Sequence, residues 1–180
     1  AGQPAVADGY DGNGNRVLSD DGLGTRTKQQ YDGLNRLVAT IQNYNGTDTT
    51  TANTTTHYTY DARDNLRQVT DPDGLNTVYD YDGLNHLTGL HSPDTGNASY
   101  TYDAAGNRIT QTDARNVTST YRYDALNRLT GMTYPNSSLN VSYAYDDANT
   151  ITGCGTSSYP IGRLTRMIDS TGSTTYCYDR

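Results

Sequence analysis

Hydrophobic positions in this chain come singly and at alternate places rather than in runs. Tyrosines stand two apart in Tyr58/Tyr60, Tyr79/Tyr81, Tyr100/Tyr102, Tyr121/Tyr123, Tyr143/Tyr145 and Tyr176/Tyr178. In a strand, residues two apart point to one face, so each pair marks an extended segment with an aromatic side. Short Thr/Tyr/Val segments are separated at intervals of about 8–12 residues by clusters of Asp, Asn, Gly and Pro. That spacing predicts an all-β chain. No stretch approaches the roughly 18 consecutive apolar residues of a membrane span.

The turn clusters repeat. Tyr-Asp recurs as Tyr10-Asp11, Tyr31-Asp32, Tyr60-Asp61, Tyr81-Asp82, Tyr102-Asp103, Tyr123-Asp124, Tyr145-Asp146 and Tyr178-Asp179, with steps of 21, 29, 21, 21, 21, 22 and 33 residues. Two forms alternate. Form A reads YDGNGNRV from Tyr10, YDARDNLR from Tyr60 and YDAAGNRI from Tyr102. Form B reads YDGLNRL from Tyr31, YDGLNHL from Tyr81 and YDALNRL from Tyr123, one residue shorter as written, so the unit is A followed by B. The Asp opens each turn by accepting a backbone N–H two residues on, and Gly or Asn follows where positive φ is easiest. A second turn family lies midway, at Asp71–Gly74, Asp113–Asn116 and Asp169–Gly172, with proline at Pro93 and Pro135 after the B motifs. The domain expectation is a single array over residues 1–180: a lead-in at 1–9, repeats from about 10, and irregular insertions at about 42–57 and 147–162. One hairpin buries little, but stacked copies align their tyrosine pairs into cross-strand ladders. Stacking is also expected to bring Arg36, Arg108 and Arg128 near the Asp of a neighbouring copy.

Composition sharpens this reading. Leu, Ile and Val total 25 of 180 residues and there is no Phe, below the share that usually sustains a core. The chain nonetheless carries 17 Tyr, each able to bury on the order of 150–250 Å² if its hydroxyl finds a partner. All 20 acidic residues are Asp, as turn copying requires, and the net charge of −7 argues against a phosphate-binding, nucleic-acid surface.

The repeat resembles the Rhs/YD-repeat family, whose consensus is close to YDxxGRLxxxxxPxGxxxxYxY. YDALNRLTGMTYPNSSLNVSYAYD, from Tyr123 to Asp146, follows it almost throughout, and the likeness runs from Tyr10 to Asp179. Asn35, Asn85 and Asn127 stand where the family usually has Gly, and Asn tolerates left-handed geometry. The resemblance implies a tandem array of short antiparallel strands forming a spiralling, stacked β-sheet. In bacterial Rhs proteins and insecticidal toxin complexes such a sheet resembles a shell around a toxic domain. In wall-associated and teneurin-like proteins it lies outside the cell. About eight repeats are few for a closed shell, which points to a fragment or to a sheet finished in another way.

Candidate chemistry is thin. Asp71-Pro72-Asp73-Gly74-Leu75 matches by letter the DPxGL motif of the family's self-cleaving aspartyl site, but it sits in an ordinary repeat turn without a second copy. Asp11, Asn13 and Asn15 have a faint likeness to a calcium loop that lacks the closing Glu. His57, His86 and His91 share no metal-ligand spacing. Six Asn-x-Ser/Thr triplets, from Asn45 to Asn140, matter only with eukaryotic secretion. Cys154 and Cys177 permit one disulfide across the irregular loop if the protein is extracellular. No catalytic residue, metal site or cofactor is assigned.

The functional expectation is a non-enzymatic shell or scaffold segment of a secreted or cell-surface protein. Its partners would be other YD repeats of the same or neighbouring chains and an enclosed toxin domain, with no nucleic acid and no membrane span. Two alternatives stand beside it: a filament subunit adding strands end to end, and a module binding glycans or a partner through exposed Tyr, Asn and Asp.

Overall fold

The computed structural model describes residues 9–21, 23–47, 53–147, 154 and 159–179. The chain is all-β, with two compact units divided between Thr95 and Gly96. The first unit holds β1 (Gly9–Tyr10), β2 (Arg16–Asp20), β3 (Arg26–Tyr31), β4 (Leu37–Gln42), β5 (Thr54–Tyr60), β6 (Leu66–Thr70), β7 (Asn76–Tyr81) and β8 (Leu87–Ser92). The second holds β9 (Gly96–Tyr102), β10 (Arg108–Thr112), β11 (Thr118–Tyr123), β12 (Leu129–Thr133), β13 (Val141–Tyr145), β14 (Leu164–Asp169) and β15 (Gly172–Thr175). Within each unit every strand pairs antiparallel with its neighbour in the chain, so each unit is a meander. Tyr-Asp turns join β1–β2, β3–β4, β5–β6, β7–β8, β9–β10 and β11–β12. The second turn family joins β2–β3, β6–β7, β10–β11 and β14–β15 at the opposite ends of the strands. Much of the two expected insertions, and residues 1–8 of the lead-in, lie outside the described residues.

A β-bulge follows each of these Tyr-Asp turns. Tyr31 pairs with Leu37 while Gln30 pairs with Ala39, leaving Val38 unmatched. The same slip beside Tyr60, Tyr81, Tyr102 and Tyr123 leaves Arg67, Thr88, Ile109 and Thr130 unmatched. A bulge breaks the ladder locally and frees a carbonyl, which needs a donor. Where the extra residue is threonine, its hydroxyl supplies that donor: Thr88 to the Asp80 carbonyl (3.2 Å), Thr130 to Arg122 (3.1 Å) and Thr165 to Ala144 (3.0 Å).

The core is thin. Ala39 and Ile41 are the buried hydrophobic side chains among the described residues, and Thr165 is fully buried. Most Tyr-Asp tyrosines are half-buried, with Tyr10 largely exposed. Stability therefore rests on cross-strand aromatic contacts and hydrogen bonds rather than on a packed interior.

Candidate functional site

The repeated turn is built from its aspartate. In the β3–β4 turn, the Asp32 N–H donates to the Arg36 carbonyl (2.9 Å) and the Asn35 N–H donates to the Asp32 carbonyl (3.0 Å). Asp32 Oδ1 accepts the N–H groups of Leu34 (2.9 Å) and Arg36 (3.0 Å). Asp11, Asp61, Asp82, Asp103 and Asp124 repeat the set. Donated hydrogen bonds favour the charged carboxylate, so these groups are held below the usual aspartate range. For Asp32, Asp82 and Asp124 the backbone N–H four residues on is the main cause. For Asp11, Asp61 and Asp103 it is the side-chain amide of Asn15, Asn65 and Asn107.

The left-handed residue is the fourth of the motif's turn, not the glycine next to Asp. Asn35, Asn85 and Asn127 have φ of 62°, 67° and 60°, and Gly14 and Gly106 have 85°. Gly33 and Gly83, directly after Asp, have no positive φ. Both forms close through the residue four beyond Asp, so form B is not shorter: A and B turns have equal length and differ in the closing side chain.

That closing side chain joins successive turns. In form A it is asparagine: Asn15 Nδ2 donates to its own Asp11 (2.9 Å) and to Asn35 Oδ1 of the next turn (2.9 Å). Asn65 reaches Asn85, and Asn107 reaches Asn127, each at 2.9 Å. In form B it is arginine. Arg36 donates to Asp32 (2.8 Å), to the Asp61 carbonyl (3.0 Å) and to Asp64 (2.8 Å). Arg128 donates to Asp124 (2.7 Å) and Asp146 (2.8 Å). His86 takes the same place, 3.0 Å from Asp82.

Tyrosines lie over these links. The Tyr-Asp tyrosine donates its hydroxyl to the carbonyl beside the preceding turn's bulge: Tyr31 to Arg16 (3.2 Å), Tyr60 to Leu37 (2.8 Å), Tyr123 to Arg108 (3.1 Å), Tyr145 to Leu129 (3.0 Å) and Tyr178 to Leu164 (2.6 Å). The ring also receives a guanidinium, with Arg36 5.0 Å from the Tyr60 centroid and Arg128 4.4 Å from that of Tyr145. Burial raises the hydroxyl pKa of Tyr60, Tyr81 and Tyr143.

Arg108 departs from the expected aspartate contact. It stands one position further from its Asp than Arg36 does, pairs with Tyr102 in the strand, and lies between the Tyr100 (5.6 Å) and Tyr121 (4.9 Å) rings. Arg163, which the sequence reading passed over, does the work of Arg36 after the second insertion. Its carbonyl accepts the Asp146 N–H (3.3 Å), its Nη1 donates to the Asp179 carbonyl (3.4 Å), and its guanidinium lies 4.9 Å from the Tyr178 centroid. The only signal for it was the resumed pattern at Gly162-Arg163-Leu164.

The remaining candidates fall into the same framework. Asp71 forms a turn like the others, its Oδ1 accepting the Leu75 N–H at 2.8 Å. The Asp11 carboxylate is taken up by Asn13 and Asn15. His91 and Arg67 both contact Asp80, at 3.0 and 3.1 Å. Tyr176 and Tyr178 lie beyond the end of β15. Cys154 and Cys177 are joined, with Cα atoms 5.5 Å apart. No group of three His, Cys, Asp or Glu among the described residues is arranged to hold a metal ion, and no described helix is long and apolar enough to cross a membrane.

The RHS Repeat family model matches residues 44–75, 60–97, 81–118 and 102–139, an unbroken stretch of more than half the chain. The chain belongs to the RHS Repeat family. The matched stretch contains the Asn65–Asn85 and Asn107–Asn127 links between turns. No curated protein matches the chain. Solved structures do. TcdB2-TccC3 shares 17% identity with a TM-score of 0.61, over 97% of this chain and 11% of the other. TcdB2-TccC3-TEV shares 16% with a TM-score of 0.59, over 94% and 10%. The Photorhabdus luminescens Tc holotoxin pore shares 15% with a TM-score of 0.55, over 91% and 10%. At these identities the likeness establishes the fold. The chain spans about a tenth of the length of each solved chain.

Proposed function

We propose that this RHS-repeat chain is a length of structural wall in an exported or cell-surface protein, enclosing or displaying a toxin or effector domain that lies outside it. The observation that carries the proposal is the link from turn to turn. Asn15, Arg36, Asn65, Asn107 and Arg128 each bond their own turn and the next, so one edge of each unit is tied along its length. This is what a wall needs and what an isolated hairpin lacks. The fold likeness to toxin-complex proteins supports the same reading.

The chemistry left over favours structure above catalysis. Among the described residues, the turn carboxylates are occupied by backbone N–H groups and the two cysteines by each other. The Cys154–Cys177 bridge supports an oxidising compartment, as a secreted or surface protein meets. Neighbouring YD repeats would continue the array as one domain, with the toxin domain as its content.

The test is electron microscopy of the full-length product that carries this chain, with limited proteolysis of its remaining domains. Hollow particles with a protease-resistant enclosed segment are expected. Long regular fibres would replace the wall with an end-to-end filament.

A further inference from the structure

A cavity of about 660 Å³ opens in the first unit beside the turns at Asp11 and Asp32, with Asn13, Gln30, Gly33 and Asn35 among its lining residues. The chain itself shows what such a place accepts. In the following A/B pair, Arg63 occupies the position equivalent to Asn13, two residues beyond the turn aspartate. Its Nη1 reaches across to the Gly83 carbonyl at 2.7 Å and lies 3.5 Å from the Asp82 carbonyl. The equivalents of those acceptors, Gly33 and Asp32, line the cavity. Asn13 is too short to reach them and turns instead to Asn35 Oδ1 at 2.8 Å.

We propose that this cavity is a binding site for an arginine side chain presented by another polypeptide. The guanidinium would take the place that Arg63 fills one pair later, donating to the Gly33 carbonyl with the Asp32 carbonyl beside it. A planar guanidinium offers several donors in a fixed fork and is weakly hydrated, which suits a pair of adjacent carbonyl oxygens. Lys28 also lines the cavity and carries the opposing charge; the protein's net charge of −7 outweighs it in attracting a cationic segment. The site selects guanidinium over ammonium by geometry rather than by charge.

Titration of the folded protein with N-acetyl-arginine amide and its lysine counterpart, followed by amide NMR shifts, tests this. Saturable shifts at Asp32, Gly33 and Asn35 are expected with the arginine probe, and binding at least about threefold weaker with lysine. Asn13→Arg would fill the cavity from within and reduce binding about tenfold or more. Arg63→Ala would open the equivalent place in its own pair, as Ala105 already leaves it in the next, adding shifts at Asp82 and Gly83. Absence of saturable shifts, equal response to both probes, or an Arg63→Ala protein that gains no shifts at Asp82 and Gly83 would each overturn the proposal. The last measurement stands even if Asn13→Arg perturbs its own turn.

Discussion

Arg36 and Asp64 stand 28 residues apart in the chain, and Arg36 Nη1 lies 2.8 Å from Asp64 Oδ1. The corresponding A-to-B links, such as Asn15 to Asn35, span 20 residues. The extra eight belong to the insertion after β4, which leaves the turn edge unbroken because it enters at the opposite ends of the strands. This insertion is absorbed at the untied ends of the strands, whereas the second enters the Tyr-Asp turn between Asp146 and Arg163.

The arginine link is a fork rather than a point charge. Arg36 meets Asp32, the Asp61 carbonyl and Asp64 while lying over Tyr60. Lysine cannot reproduce the fork or the stacking. Arg36→Lys is expected to lower the melting temperature by about 2–4 °C, with Arg36→Ala lower still. Thermal melts of the two variants check this order, and equal melting of Arg36→Lys and the parent would contradict it.

The hydroxyls of Tyr31, Tyr60, Tyr123, Tyr145 and Tyr178 each satisfy a bulge-side carbonyl. Removing one by Tyr60→Phe keeps the ring and leaves the Leu37 carbonyl without its 2.8 Å donor. The expected cost is on the order of 0.5–1.5 kcal/mol, read from denaturant unfolding. A variant as stable as the parent would show that the hydroxyl bond is not needed.

Left-handed turn positions distinguish backbone demand from side-chain bonding. Asn116 has φ of 59° in the β10–β11 turn, and its side chain is exposed. Asn116→Gly is expected to melt close to the parent. Asn116→Val puts a β-branched residue in a region that costs L-residues roughly 1–2 kcal/mol, and its melting temperature should fall. The pair of melts isolates the backbone contribution.

Acid should loosen the tied edge. Asp32, Asp61, Asp82, Asp103 and Asp124 have folded-state pKa values below those of the unfolded chain. The unfolded chain therefore takes up protons first as pH drops. The stability these groups contribute is present above the unfolded aspartate pKa of about 3.9 and is lost as pH falls through the depressed folded values. Melting temperature is expected to be nearly level from pH 7 to about 5 and to fall steeply below about 4. A profile level down to about pH 2.5 would refute this origin of stability.

Cys177 lies between Tyr176 and Tyr178 at an exposed position, and its bond ties Cys154 of the second insertion to the segment after β15. Thiol titration of the native protein is expected to find no free cysteine. Cys154→Ser should lower stability by about 3 kcal/mol in the chain-entropy account. Two titratable thiols in the native state would reject the bridge.

The aspartate turns were readable from sequence because every bond that makes them is local. Asp accepts N–H groups two and four residues on, and the fourth position takes Gly or Asn, so a short string of letters carries the whole geometry. Form B looked one residue shorter because Asn was matched to Asn. In the turn, Asn35 is the left-handed residue and Asn107 is the closing one. The same mismatch sent Arg108 to an aspartate instead of to Tyr100 and Tyr121.

By itself, then, the sequence determined the all-β character, the period of the Tyr-Asp turns and the place of each turn aspartate. Only the tertiary structure decided which residues of separate turns meet. It matched Arg36 with Asp64, set Tyr60 on the Leu37 carbonyl, placed a bulge after the turn, and put Arg163 in the role of Arg36 across an irregular loop. The physical reason is register. A local turn is specified by its own few residues, whereas a contact between strands depends on the pairing of whole strands, and one bulged residue redirects every side chain beyond it.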